Sequence, residues 1–269
     1  MSAFFSVGYV FENASAILPF LEDPQTGVTS QFCASIAQRL RCHVAAGYPE
    51  RLEPHEVGKR TLEDGSVVDV VGANSAFVYG PDGTRVGYHR KSHLFRMDKP
   101  WAKLGERFRI IKSISWRRGE ERFLISGISR IIGGPGFTTF HLPPPLNTVT
   151  LGICMDLNPQ SPSWTIDGGP YELADHCLKT GSDLLILLNA WLDSEEEEDE
   201  EEDISTMNYW ATLLRPLWYQ MGNGSNAEDA EDAEAPNTPG DVETIVVVCN
   251  RNGTENGEPS LKPKISRMF

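Results

Sequence analysis

Residues 147–159 read NTVTLGICMDLNP. Val149, Leu151 and Ile153 give a strand pattern that stops at Cys154, and Asp156, Asn158 and Pro159 then favour a turn. A cysteine at the carboxyl end of a buried strand, on a sharp turn, sits where a nucleophile would sit. The following N–H, that of Met155, could then face a developing oxyanion. A cysteine in an apolar strand is also an ordinary small core residue. On this window alone the core reading is the one favoured.

Working outward, strands and helices alternate. Residues 183–191, DLLILLNAW, read as a strand buried on both faces. Between these strands, 170–179 reads as a helix with Pro170 in its first turn, Leu173 and Cys177 on one face, and Gly181 past its end. Residues 244–249 give a last β run, and 207–219 a helix that Pro216 ends or kinks. On the amino-terminal side, 29–41 predicts an amphipathic helix with Phe32, Ile36 and Leu40 on its apolar face. Strands are expected at 43–47, 66–72 and 76–80, with a turn at 80–83 and a returning arm at 86–88. The pattern predicts an α/β fold of layered sheets and helices.

The chain has 269 residues, with 24 basic and 38 acidic side chains and a net charge of −14. Residues 193–203, DSEEEEDEEED, hold ten acids, and five more fall at 228, 229, 231, 232 and 234. Without those fifteen the remainder carries +1, so the acidity belongs to two low-complexity segments, 193–203 and 222–240, expected to be solvated disordered loops. This balance argues against nucleic acid as a partner. No run of eighteen apolar residues exists and the amino terminus lacks a basic leader, so neither a membrane span nor a signal peptide is expected. Five cysteines without a CxxC pair suit reduced thiols in the cytoplasm or nucleus.

Lys91 lies in YHRKSHL. An ammonium there could lower a thiol's pKa and stabilise a tetrahedral anion, although a Lys beside an Arg is usually solvated. His89 and His93 are four apart, but no third ligand cluster accompanies them, so no metal is expected.

Taken together, LGICMDLNP, YHRKSHL and AAGYPE (45–50) resemble the carbon–nitrogen hydrolase (nitrilase) superfamily, in its fungal branch of protein N-terminal asparagine/glutamine amidohydrolases. Collinear matches continue through GYVF (8–11), PWA (100–102), GPGF (134–137), NAWLDS (189–194), RPL (215–217) and CNRNGTE (249–255). The resemblance implies one domain over 1–269 with a four-layer α-β-β-α sandwich and a Glu–Lys–Cys triad. Cys154 would be the nucleophile, Lys91 the stabilising ammonium and Met155 an oxyanion donor. Asp156 and Asp193 are candidates for the substrate's α-ammonium, and Asp156 is equally a candidate turn or capping residue. The implied substrates are peptides or proteins beginning with Asn or Gln, deamidated through a thioester to feed the N-degron pathway. No cofactor is implied.

Three departures qualify the resemblance. The family's Glu should lie five residues before Gly8, where this chain has Ala3, and the strand that would carry it is missing. Glu50 and Glu106 are the carboxylates that could approach the site instead, with Glu50 read as a structural or pocket-edge residue and Glu106 a loose match to a second family Glu. Residues 105–134 read as a basic insertion, and the sequence after Gly257 leaves the family pattern, so part of the carboxyl-terminal end is expected to be absent. A non-catalytic binder of peptide N-termini or of another partner, an acidic interaction protein and a small-molecule amidase are the competing readings.

Overall fold

A computed structural model describes residues 7–105, 108–110, 128–130, 136–191, 204–218, 244–251, 253–255, 258–260 and 265–268. Both acidic runs, Asp193, Glu106 and most of the 105–134 segment lie outside the described residues.

The helices are α1 (Ala14–Ile17), α2 (Val28–Leu40), α3 (Glu172–Thr180) and α4 (Ile204–Leu213). The strands are β1 (Val44–Arg51), β2 (Gly58–Thr61), β3 (Val67–Val70), β4 (Gly72–Tyr79), β5 (Arg85–Arg90), β6 (Phe108–Ile110), β7 (Ile128–Arg130), β8 (Thr138–His141), β9 (Thr148–Ile153), β10 (Leu184–Asn189), β11 (Ile245–Asn250), β12 (Gly253–Glu255), β13 (Glu258–Ser260) and β14 (Ile265–Met268). One sheet is antiparallel in the order β1-β4-β5. The other runs β14-β11-β10-β9-β8, with β9, β10 and β11 parallel and an antiparallel strand at each edge. β2–β3, β6–β7 and β12–β13 are separate hairpins.

Side-chain alternation sorts the layers. Ala76 and Val78 of β4 meet Val149, Leu151 and Ile153 of β9, Phe140 of β8 and Leu188 of β10 between the sheets. On the outer face of the first sheet, Tyr48, Phe77 and Tyr79 pack against Cys33 and Ala37 of α2. On the outer face of the second, Leu185, Leu187, Val246 and Val248 pack against Leu173 and Cys177 of α3 and Trp210 and Leu213 of α4. These are the four layers that the resemblance implies. Gly181 ends α3 in the left-handed region (φ 60°), and a 3-10 turn at Arg215–Leu217 follows α4, as the Gly and Pro positions predict.

Two expectations are corrected. The apolar stripe of α2 faces outward: Phe32 is 41 % and Leu40 63 % exposed, while Thr29, Ser30, Cys33 and Ala37 are buried. The sheet already presents large aromatic rings, so the helix approaches it through small side chains. The carboxyl-terminal tail is not merely a departure: Ile265–Met268 pairs antiparallel with β11 and covers that edge. Among the described residues no helix is long and apolar enough to cross a membrane.

Candidate active site

The chain leaves β9 at Ile153 and enters a 3-10 turn, Cys154–Leu157. Cys154 opens it with φ 48°, a left-handed conformation that a residue bearing a Cβ adopts only when its surroundings enforce it. Two side chains do so. The parallel register pairs Ile153 with Leu188, which sets the next residue, Asn189, beside the turn. Asn189 Oδ1 accepts from the Cys154 N–H (3.2 Å). Asp156 Oδ2 accepts from the Ile153 N–H (2.9 Å). The Met155 N–H, near the start of the helical turn, has no acceptor inside that turn.

Asp156 also joins this turn to the first sheet. Its Oδ1 accepts from the Ser92 (2.7 Å) and His93 (2.9 Å) N–H groups, and its Oδ2 lies 2.7 Å from His89 Nε2. Burial opposes its charge, but His89, His93 and these donors more than offset that, so its pKa is lowered. With no exposure and both oxygens committed to its own chain, Asp156 is a staple between the Cys154 turn and the segment after β5. Of its two candidate roles, these contacts are those of the turn or capping residue rather than of an acceptor for a substrate ammonium.

The stapled segment carries Lys91. Its N–H donates to Asn74 O (2.8 Å) at the start of β4, which extends the sheet's pairing by one residue. Its side chain is fully buried. Lys91 Nζ donates to Asp98 Oδ2 (2.6 Å) and to the Tyr9 hydroxyl (2.9 Å). Asp98 lies in a tight turn, where its Oδ2 also accepts from the Phe95 N–H (2.8 Å) and its Oδ1 from Asn74 Nδ2 (3.0 Å). The Tyr9 hydroxyl donates to the same carboxylate.

Burial works against the Lys91 ammonium, yet the Asp98 carboxylate above all, by its charge and its hydrogen bond, with Asp156 adding to it, holds its pKa above the ordinary lysine value. Burial pushes the Cys154 thiol up, while Lys91 and the Ala190 N–H pull it back in part. The net shift is upward, so the resting group at neutral pH is a thiol beside a fixed ammonium. Such a pair can place a nucleophile and a positive charge on the two sides of a carbonyl.

The sequence thus brings Cys154, Met155 and Lys91 to one end of the two sheets. Glu50 does not join them. Period-2 alternation sets Glu50 on the face of β1 shared by Tyr48, against the α2 side of the sheet. There it accepts from Ser75, Tyr88 and Arg90, and Arg90 also pairs with Glu56 (2.7 Å). Glu50 is therefore a buried structural carboxylate on the far face from Lys91. His89 and His93 are engaged by Asp156, Asn158 and Glu172, and no group of three metal-ligating side chains occurs among the described residues.

Sequence reasoning missed Asp98, Asn74 and the part played by the Tyr9 hydroxyl. Asp98 had one available signal: it is the sole acid between Lys91 and Glu106.

Against known proteins, this chain is 25 % identical over 268 residues to a protein N-terminal amidase of Schizosaccharomyces pombe, covering 93 % of this chain and 70 % of that protein. A protein N-terminal amidase of Saccharomyces cerevisiae is 22 % identical over 194 residues, covering 72 % of this chain and 36 % of the relative. A crystal structure of an N-terminal amidase with an Asn-Glu-Ala peptide superposes with a TM-score of 0.62 at 16 % identity, covering 98 % of this chain and 79 % of the other. One with a Gln-Val peptide gives a TM-score of 0.58 at 17 % identity, covering 97 % and 78 %. These superpositions establish the fold. A family model described as carbon-nitrogen hydrolase matches residues 3–157, more than half of the sequence and inclusive of both Lys91 and Cys154. The chain belongs to the carbon–nitrogen hydrolase family.

Proposed function

We propose that this protein hydrolyses the side-chain carboxamide of an N-terminal Asn or Gln. The observation that carries the reading is the fully buried Lys91 ammonium, locked by Asp98 and Tyr9 and acting on Cys154 at a strained turn. The names of the relatives, protein N-terminal amidases, and the Asn- and Gln-initiated peptides in the superposed structures support the substrate class.

Cys154 Sγ attacks the amide carbon. The carbonyl oxygen becomes an oxyanion held by Lys91 Nζ and the Met155 N–H. The thiol proton ends on the amide nitrogen, the C–N bond breaks, and ammonia leaves a thioester. Water then cleaves the thioester, giving a peptide that begins with Asp or Glu and restoring the thiol. Such a terminus is a destabilising one in the N-degron pathway.

Both oxygens of Asp98 are taken by Lys91, Tyr9, Asn74 and the Phe95 N–H, so Asp98 holds the lysine rather than serving as the base for water. A general base or acid typically contributes about 10²–10⁴-fold. Among the described residues Asp98 is therefore not the group that activates water for thioester hydrolysis. The same observation favours the second reading, a binder of peptide N-termini.

Mass spectrometry of an Asn-initiated peptide incubated with the protein separates the two. The amidase reading expects a mass gain of about one dalton, loss of ammonia, and an acyl adduct on the intact protein, all abolished by Cys154→Ala. Peptide binding with neither adduct nor mass gain overturns the amidase reading in favour of the binder.

A further inference from the structure

Asn74 is fully buried near the start of β4. It shares its strand face with Ala76 and Val78, whose cluster includes Ile153 and Cys154. Its Nδ2 donates to Asp98 Oδ1 (3.0 Å), and only the NH2 end of an amide can serve a carboxylate oxygen, so the side chain cannot be turned over. That fixes Oδ1 as an acceptor, and Asn74 Oδ1 is buried with no hydrogen-bond partner. An orphaned acceptor in a buried position calls for an explanation.

Its neighbourhood supplies one. Asn74 and Lys91 hold the two oxygens of one carboxylate, Asn74 on Oδ1 and Lys91 on Oδ2. Two of the three Lys91 ammonium protons go to Asp98 and Tyr9, which leaves the third for an outside acceptor. An acceptor and a donor therefore flank the same carboxylate, facing the sheet layer that holds Cys154. A primary carboxamide carries the complement, a carbonyl acceptor and an NH2 donor on one carbon.

We infer that Asn74 is a specificity-determining residue whose Oδ1 accepts an N–H of the scissile carboxamide and so selects primary amides over esters and acids. This rests on the amidase reading and deepens it. In the substrate complex, Lys91 receives the carbonyl oxygen and Asn74 the amino group. Once ammonia has left and water has cleaved the thioester, a carboxylate oxygen faces Oδ1, acceptor against acceptor. The product acid is then disfavoured where the substrate amide was favoured, which helps it leave.

Two measurements on the full chain test this. The first compares turnover of a tripeptide beginning with Asn against the same peptide beginning with the β-methyl ester of Asp, which keeps the carbonyl and lacks the N–H. Asn74→Ala is expected to lower the amide-to-ester ratio of kcat/KM roughly tenfold, the weight of one neutral hydrogen bond in a buried site. If Asn74 only supports Asp98, both substrates slow together and the ratio stays fixed, which overturns the inference. The second uses Cys154→Ala protein and measures the Kd of Asn-initiated against Asp-initiated tripeptide. A preference for Asn that falls roughly tenfold on adding Asn74→Ala upholds the inference even where the parent chain turns over neither substrate, an outcome that would sink the amidase reading alone. An unchanged preference, or no binding of either peptide, overturns it.

Discussion

The substitution Asp98→Asn isolates the electrostatics of the site. Asp98 and Lys91 are 1 % and 0 % exposed and their charged atoms are 2.6 Å apart. The amide keeps the shape but removes the charge that holds the ammonium in the interior. Leaving one partner of a buried pair uncompensated costs about 3–5 kcal/mol. The pH dependence gives a sharper signature. In the parent protein the Lys91 pKa is raised above its unfolded value near 10.4, so the stability it contributes is complete below that pH and is lost only as the pH climbs through the folded value. Between about pH 7 and pH 9.5 Lys91 therefore contributes no slope. In Asp98→Asn, burial dominates and the folded pKa drops below the unfolded one. The folded state then binds fewer protons than the unfolded state, and stability rises with pH by up to about 1.4 kcal/mol per unit. Urea titrations at those two pH values should show the gap between parent and variant closing by up to about 3 kcal/mol. The double variant Lys91→Met/Asp98→Asn should lose that slope. A gap below about 1 kcal/mol, or one unchanged between the two pH values, refutes the account of Lys91 as a charge kept in the interior by Asp98.

Three further outcomes are expected. On α2, Leu40→Lys should change stability by less than about 0.5 kcal/mol, whereas Ala37→Leu on the buried face should cost about 1–3 kcal/mol, both read from urea midpoints. Gly87→Ala would set its Cβ 2.7–2.9 Å from the ring of buried Phe140, so it should destabilise by about 1–3 kcal/mol and lower Tm by several degrees. Hydrogen bonds from Arg90, its charge and Lys103 hold Glu56 at a pKa of about 2, so its stabilisation is present above the ordinary glutamate value and fades as the pH falls towards 2. The stability difference between parent and Glu56→Gln should accordingly shrink from pH 5 to pH 2.5, and a constant difference would show that the ion pair is idle.

The fold was most legible where one physical signal dominates. DLLILLN has no polar face because β10 is central in a parallel run covered on both sides, and such a strand reads directly from composition. Helix α2 shows the limit. Period 3.6 located the helix, but the side that packs is set by what the sheet presents. Tyr48, Phe77 and Tyr79 fill the space above β1 and β4, so Cys33 and Ala37 fit and Phe32 does not. For β4, the pattern predicts β-like ranges at 66–72 and 76–80 with residues 73–75 between them, whereas one strand runs from Gly72 to Tyr79. Each polar side chain is met on its own face of the sheet, Asn74 by Asp98 and Ser75 by Glu50. Extending β1 through Arg51 assigns Glu50 to the far face by alternation alone. Ending that strand at residue 47 is what left Glu50 a candidate for the site.

Cys154 and Lys91 were legible because short, dense motifs surround them, and their supports were not, because those come from elsewhere in the chain. Asp98 reaches Lys91 from a turn seven residues on, and Tyr9 reaches it across 82 residues, so no periodicity registers either contact. The need for them follows from burial all the same. A lysine with no exposure retains its proton only if fixed acceptors replace the water it has lost, and the strands offer none at that point. Asp98 and Tyr9 supply those acceptors, and Asn74 in turn fixes Asp98. The cost of that arrangement is the carboxylate itself. Asp98, engaged by Lys91, Tyr9, Asn74 and the Phe95 N–H, keeps the lysine's charge in place and is not free to take a proton from water.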